Sequence, residues 1–318
     1  MKNTLILYES RYGFTKMAAL QASLVLGPGK CMRFSEMKDF GQEWDLVVLL
    51  IPVYYERLEQ EAVEYIKNNL EWLKKNKIVL FCTCLIKEYV KTYLQPVSGL
   101  LGSSVIFQGG IAGNLILSRL EDEDRTRMAV FFKSAEFDEQ DYLCFDQDEY
   151  VETLLSIKEW KDCPAKVMDE KKLLGFCEEF LTNHNTCSLS TGYKSRIRAT
   201  PIEYQYRNGF IYVISEGGVK FANILQNPNV SVAVFNEFQG MNQLRGMQIK
   251  GTAEIIETGS TQYLEFLAMK KLDYENVRKL PVALHLIRIR IEKIEFLWSG
   301  FREMGADVKQ IMTFCQRS

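Results

Sequence analysis

Asp45 to Val53 reads DLVVLLIPV, a run with no polar side chain after its first residue. A strand of that composition cannot turn either face to water, so it belongs inside a parallel sheet covered by helices on both sides. The same reading applies to TLILY (4–8), IVLFCTCL (78–85) and SVIFQGGI (104–111). Between them, Thr15 to Leu26 and Leu58 to Lys74 carry helical spacing, the latter with Ala62, Tyr65, Ile66, Leu70 and Leu73 on one face, and Glu149 to Trp160 restores it. Strands alternating with helices predict an α/β, doubly wound parallel sheet. The stretch from Gly110 to Asp148, with LSRLEDEDRTRMAVFFK, is expected to be a helical insertion carrying charge on one side.

After a helix over Leu173 to Asn183 the period changes to two. TCSLST, RIRATPIEYQYR, GFIYVISE, VSVAVFN, MQIKGTAEIIE and HLIRIRIEKIEFLW read as strands, with a tight hairpin at Asn208-Gly209. Helices are expected only over Val219 to Leu225, near 260–275 and at the C-terminus. This half predicts a small antiparallel barrel. The charged, proline-containing KDCPAKVMDEKK places the boundary between domains 1–163 and 164–318.

At 318 residues with a formal charge of -2, the chain offers no basic field for nucleic acid or an anionic membrane surface. No apolar run approaches the roughly 20 residues of a spanning helix, and none near the start resembles a secretory leader. A cytoplasmic location is expected. The eight cysteines are scattered and read as free thiols, and with two histidines in the chain no metal site is expected.

In a doubly wound sheet the ligand sits beyond the carboxyl ends of the strands, here the loops after Tyr8, Ile51 and Phe81. The first loop, Ser10-Arg11-Tyr12-Gly13-Phe14-Thr15, offers hydroxyls, a glycine and a helix start, a set that suits a phosphate monoester. Taken alone it could equally be a turn with Ser10 or Thr15 as N-cap. It lacks the Lys-Ser ending of a triphosphate loop and the three glycines of a dinucleotide fingerprint. The second loop, Pro52-Val53-Tyr54-Tyr55, sends adjacent tyrosines out of a buried strand, as a flat aromatic ligand requires. Thr83-Cys84-Leu85 adds small polar groups at the third strand end.

LILYESRYGFTKMAA resembles the flavodoxin signature, with Phe14 where many flavodoxins carry asparagine. The arginine in its loop and IPVYYE are more specifically similar to the flavodoxin-type protoporphyrinogen oxidases, as far as about Trp160. The resemblance implies FMN, with Ser10 to Thr15 (Ser10, Arg11, Tyr12, Gly13, Phe14, Thr15) as phosphate cradle, Pro52, Val53, Tyr54 and Tyr55 at the ring, and Thr83, Cys84 and Leu85 at its polar edge. The acidic insertion departs from those oxidases.

RIRATPIEYQYRNGFIYVISEGGVKFANILQNPNVSVAVF resembles the split-barrel flavoproteins of the pyridoxamine 5'-phosphate oxidase type. Matching positions are Arg198, favoured by register over Arg196 on the same strand face, Ser215 and Lys220, and the later strand supplies Gln248 or Arg245. Two cations beside Gly217-Gly218 suit one phosphate independently of the family name. Val219 and Glu203 depart from the vitamin B6 enzymes, so that reaction is not expected. The barrel's cofactor is expected to be FMN or another flavin, with haem as the lesser alternative.

Together these features predict an FMN-dependent oxidoreductase or electron-transfer flavoprotein acting on a small-molecule substrate or a redox partner protein. Alternatives are a tetrapyrrole-acting enzyme and a flavin-binding protein without turnover. No catalytic side chain is singled out, because electron transfer demands none, and a homodimer is expected by analogy.

Overall fold

The computed structural model describes residues 2–38, 43–134 and 136–314. The chain forms two compact units, Met1–Cys163 and Pro164–Ser318.

The first unit runs β1 (Thr4–Tyr8), α1 (Phe14–Val25), β2 (Gly29–Arg33), β3 (Leu46–Tyr54), β4 (Arg57–Leu58), α2 (Gln60–Asn68), α3 (Leu70–Leu73), β5 (Ile78–Cys84), α4 (Val90–Leu101) and β6 (Val105–Ala112). The sheet order is β2-β1-β3-β5-β6, with every neighbouring pair parallel and the short β4 antiparallel against β3. Alternate residues of one strand feed two cores. Leu5, Leu7, Leu49 and Leu80 pack with Ala62, Ile66, Leu94 and Val97, whereas Ile6, Leu50, Val79 and Phe81 pack with Ala18, Ala22, Leu154 and Ile157. Double coverage is why the strands are apolar without alternation. Beyond β6 come β7 (Asn114–Leu115), α5 (Asp122–Ser134), β8 (Tyr142–Leu143) and the closing α6 (Gln147–Asp162). The helix expected over 58–74 is broken at Asn69, and Leu58 pairs as a strand with Val53.

The second unit begins with α7 (Glu170–Asn183) and continues through β9 (Thr186–Tyr193), β10 (Arg196–Glu203), β11 (Gln205–Arg207), β12 (Phe210–Ser215), α8 (Val219–Ile224), β13 (Asn229–Phe235) and β14 (Arg245–Ile256). After α9 (Thr261–Met269) and α10 (Tyr274–Arg278) come β15 (His285–Trp298) and β16 (Lys309–Thr313). The antiparallel order is β10-β9-β13-β14-β15-β12-β11, with β16 on β15. Strands β10 and β11 are consecutive in the chain, separated by Tyr204 alone, yet lie at opposite ends of this order. The sheet must therefore curl until its ends approach, and Leu189, Val213, Val232, Ile249 and Ile289 fill the interior. The hairpin at Asn208-Gly209 has φ of 47° and 81°, the mirror turn that suits strand twist.

The C-terminal helix expected from sequence is corrected by β16, where Gln310 and Met312 are buried with a period of two. Among the described residues seven cysteines are free, and Cys315 lies outside them. No group of three or more His, Cys, Asp or Glu among the described residues could hold a metal. No described helix is long and apolar enough to cross a membrane.

Candidate functional site

The chain turns from β1 to β2 on one side and returns to β3 on the other, which opens a crevice at the carboxyl ends of these strands. A cleft lies there. One side is lined by Ser10, Tyr12, Phe14 and Thr15 of the loop after β1, and a second by Pro52, Val53, Tyr54 and Tyr55. Thr83, Cys84 and Leu85 form a third side. These residues, expected from sequence at three separate strand ends, share one cleft; Arg11 and Gly13 belong to the same loop without lining it.

Gly13 is the N-cap of α1 at φ 88°, a left-handed conformation that strains any other residue, and it lets the strand turn abruptly into the helix. Its N–H donates to the Ser10 hydroxyl at 3.1 Å, but no side chain caps α1 itself. The first-turn N–H groups and the positive end of the helix dipole are thus left for an anion. The Thr15 and Thr83 hydroxyls meet at 2.7 Å, both buried, and lock the loop to the end of β5. The donor set matches a phosphate monoester, and the tyrosines supply aromatic faces beside it. The residues present fit FMN.

The fourth side of the cleft was missed in the sequence. Gly113, Asn114 and Leu115 follow β6, and Leu120, Asp124 and Met128 come from the insertion. The signal was available in part, because β6 is another strand of the same sheet and its carboxyl end also points to the crevice.

Arg11 is turned away into a charged cluster. Its guanidinium donates to Asp124 at 3.1 Å, stands 3.9 Å from Glu59 and lies 4.8 Å from the centre of the Tyr54 ring. The Arg11 N–H donates to the Tyr54 hydroxyl at 2.9 Å, and the Tyr12 hydroxyl donates to Asp124. Burial works against the Arg11 charge, but Asp124 together with Glu59 and Tyr54 more than offsets it, and the guanidinium pKa is raised. Burial, aided by the bond to Asp124, pushes the Tyr12 hydroxyl up to about 12. Burial also raises Tyr54 and the Glu59 carboxyl.

In the second unit Lys220 is buried and donates to the Gly217 carbonyl at 2.7 Å. Burial lowers its pKa, Glu216 opposes the shift, and the nearby Arg198 charge adds to it. Arg198 pairs in register with Thr191, on the interior-facing side of β9, and Ser215 ends β12 opposite His285. Asn223 of α8 is fully buried; its amide donates to Thr191 while its Oδ1 has no partner. Arg198, Lys220 and Asn223 therefore gather beside a buried acceptor in need of a donor. Gln248 is not brought to them: it registers with Ala233 on the outer face of the sheet. Arg245, the alternative in the same strand, faces the opposite way, its guanidinium among Phe180, Phe296 and Trp298.

A family model described as a flavodoxin domain matches residues 5–141, and one described as pyridoxamine 5'-phosphate oxidase matches residues 173–298. No curated protein matches the chain. Among solved structures, it is similar to a FAD-binding protein from Mesorhizobium loti at 22% identity, covering 37% of this chain and 89% of that one, with a TM-score of 0.32. It is also similar to HutZ, the haem storage protein from Vibrio cholerae, at 16% identity over 39% of this chain and 92% of that one, with a TM-score of 0.33. General Stress Protein 26 from Bacillus anthracis matches at 18% identity, over 45% and 98%, with a TM-score of 0.33. The chain is a fusion of a flavodoxin domain with a split-barrel domain of the pyridoxamine 5'-phosphate oxidase type.

Proposed function

We propose that the chain is an FMN-dependent oxidoreductase or electron-transfer flavoprotein, with one FMN in the cleft of the first unit and a second flavin at Arg198 and Lys220. The observation that carries this reading is the cleft itself: an uncapped helix start, paired threonine hydroxyls and two tyrosines converge at one sheet edge. Bound flavin supplies the redox chemistry. Ser10, Thr15 and the first turn of α1 hold its phosphate, and Tyr54 and Tyr55 cover its ring. Lys220, with its charge already opposed by burial, gains from an anion that pairs with it and with Arg198. The outer face of the barrel sheet carries Ser188, Ser190, Ser231 and Ala233 in register, small side chains that suit close packing of a second copy, so a homodimer belongs to the same reading. The electron donor and acceptor are a small-molecule substrate or a redox partner protein.

The test is a count of FMN per chain in protein given excess FMN and then freed of unbound flavin. Two per chain are expected, falling to one in Lys220→Met. A native count of one removes the barrel flavin from the reading, and a count of zero overturns it altogether.

A further inference from the structure

The loop that leaves β1 is held from behind by a carboxylate. Glu9 is buried, and its Oε1 accepts the Ser10 N–H at 3.0 Å. The same oxygen takes a bond from the Arg33 guanidinium, which comes from the end of β2, and the other arm of that guanidinium donates to the Ser10 carbonyl at 3.1 Å. One ion pair therefore fixes the peptide groups on both sides of Ser10. Ser10 itself faces the cleft, whereas neither Glu9 nor Arg33 lines it.

Holding the loop with a carboxylate carries an electrostatic penalty. A negative charge one residue from the subsite repels a phosphate dianion, and in a partly buried setting water and salt screen that repulsion poorly. Glu59 lies close enough to Glu9 for their charges to repel. The Arg11 guanidinium already faces Asp124 and Glu59. Arg33 is the cation that answers Glu9, so the pair presents the subsite with no net charge.

We propose that Glu9 and Arg33 are a positioning pair that sets the preference for a phosphorylated flavin: Glu9 fixes the loop through the Ser10 N–H, and Arg33 cancels the charge that Glu9 brings. The inference rests on the flavin reading of this cleft. A clamp with no other role would serve any flavin equally, but an uncancelled Glu9 acts against FMN and leaves riboflavin, which carries no phosphate, untouched. Glu9→Gln keeps an acceptor for the Ser10 N–H while removing the charge, and Arg33→Met keeps an unbranched side chain while removing the cation.

The experiment measures dissociation constants of FMN and riboflavin by quenching of flavin fluorescence, in chains that all carry Lys220→Met so that the barrel takes no part, and compares their ratio. Arg33→Met is expected to lower the preference for FMN about tenfold, as one uncancelled charge near a dianion would, and the loss should shrink as salt is raised. Glu9→Gln is expected to raise the preference about threefold, because Arg33 then stands uncancelled. Glu9→Gln/Arg33→Met should return it to the parent value. Equal weakening of both flavins in Arg33→Met marks a clamp that is merely structural and overturns the proposal, as does an unchanged preference in Glu9→Gln. A loss of FMN preference that persists in the double variant also overturns it, since Arg33 would then bind the phosphate itself. That arm stands even if Arg33→Met alone fails to fold, because the double variant leaves no carboxylate buried without a cation. A parent chain that takes up neither flavin is a different result: the flavin reading of the cleft fails, and the proposal falls with it.

Discussion

Tyr55 and Glu56 carry the strain of the cleft. They form the two-residue turn between β3 and β4, with Tyr54 paired to Arg57, and both have positive φ, 50° and 60°. Asn-Gly is the usual occupant of such a turn, and Asn208-Gly209 shows it in this same chain. A left-handed non-glycine residue costs about 1–3 kcal/mol, so the turn trades stability for placing Tyr55 at the cleft, where the Arg127 guanidinium lies 4.6 Å from its ring centre. The double replacement Tyr55→Asn/Glu56→Gly should raise stability to urea by about 1–2 kcal/mol and weaken FMN binding. A variant that is stabilised yet binds FMN unchanged would show that Tyr55 does not cover the ring. Tyr54 and Tyr55 were legible as cleft residues because adjacent aromatic residues leave a buried strand at its carboxyl end. Asp124 was not, because inside EDEDR any carboxylate looks solvated, and only its contact with Arg11 reveals its burial.

At the scale of elements, α4 sits close enough to β6 that a side chain has no room between them. A Cβ on Gly110 would stand 2.1 Å from Val90 Cγ2. Gly110→Ala should therefore destabilise the protein by about 1–3 kcal/mol, and Val90→Ala in the same chain should recover at least half of that loss in a urea-unfolding double-mutant cycle. Additive effects would place the strain elsewhere. The apolar strands β1, β3 and β5 are readable because both of their faces are covered. Strand β2, GKCMR, is not: it is an edge strand, partly exposed and charged, and its pairing with β1 is what makes it a strand. In β16 a short alternating run beside a basic residue gives too little signal to separate strand from helix until Lys309 to Thr313 pair with β15.

On the scale of the whole molecule, the change of period divides two kinds of core, but the curl of the second sheet is not in any local pattern. It depends on β10 and β11 reaching opposite sheet ends through Tyr204, whose hydroxyl donates to the Leu181 carbonyl. Inside that barrel unit burial pushes the Cys177 and Cys187 thiols from 9.0 to about 12. Both folded pKa values lie above the unfolded ones, so this stability is complete below pH 9 and is lost as the pH rises towards 12. At pH 10 the loss is about 1.4 kcal/mol per thiol. Unfolding by urea at pH 8 and pH 10 should show it, and Cys177→Ala/Cys187→Ala should flatten the difference. An equally steep decline in that variant would assign the alkaline weakness to other groups.

The hydrogen bond from the Arg11 N–H to the Tyr54 hydroxyl joins the loop at one end of the cleft to the loop at the other. Each loop is therefore part of the other's environment, and whatever displaces that hydroxyl frees the Arg11 N–H and alters the loop that carries it. For the flavin site proposed above, reciprocity then predicts that ring and phosphate are thermodynamically linked halves, whose separate affinities do not add.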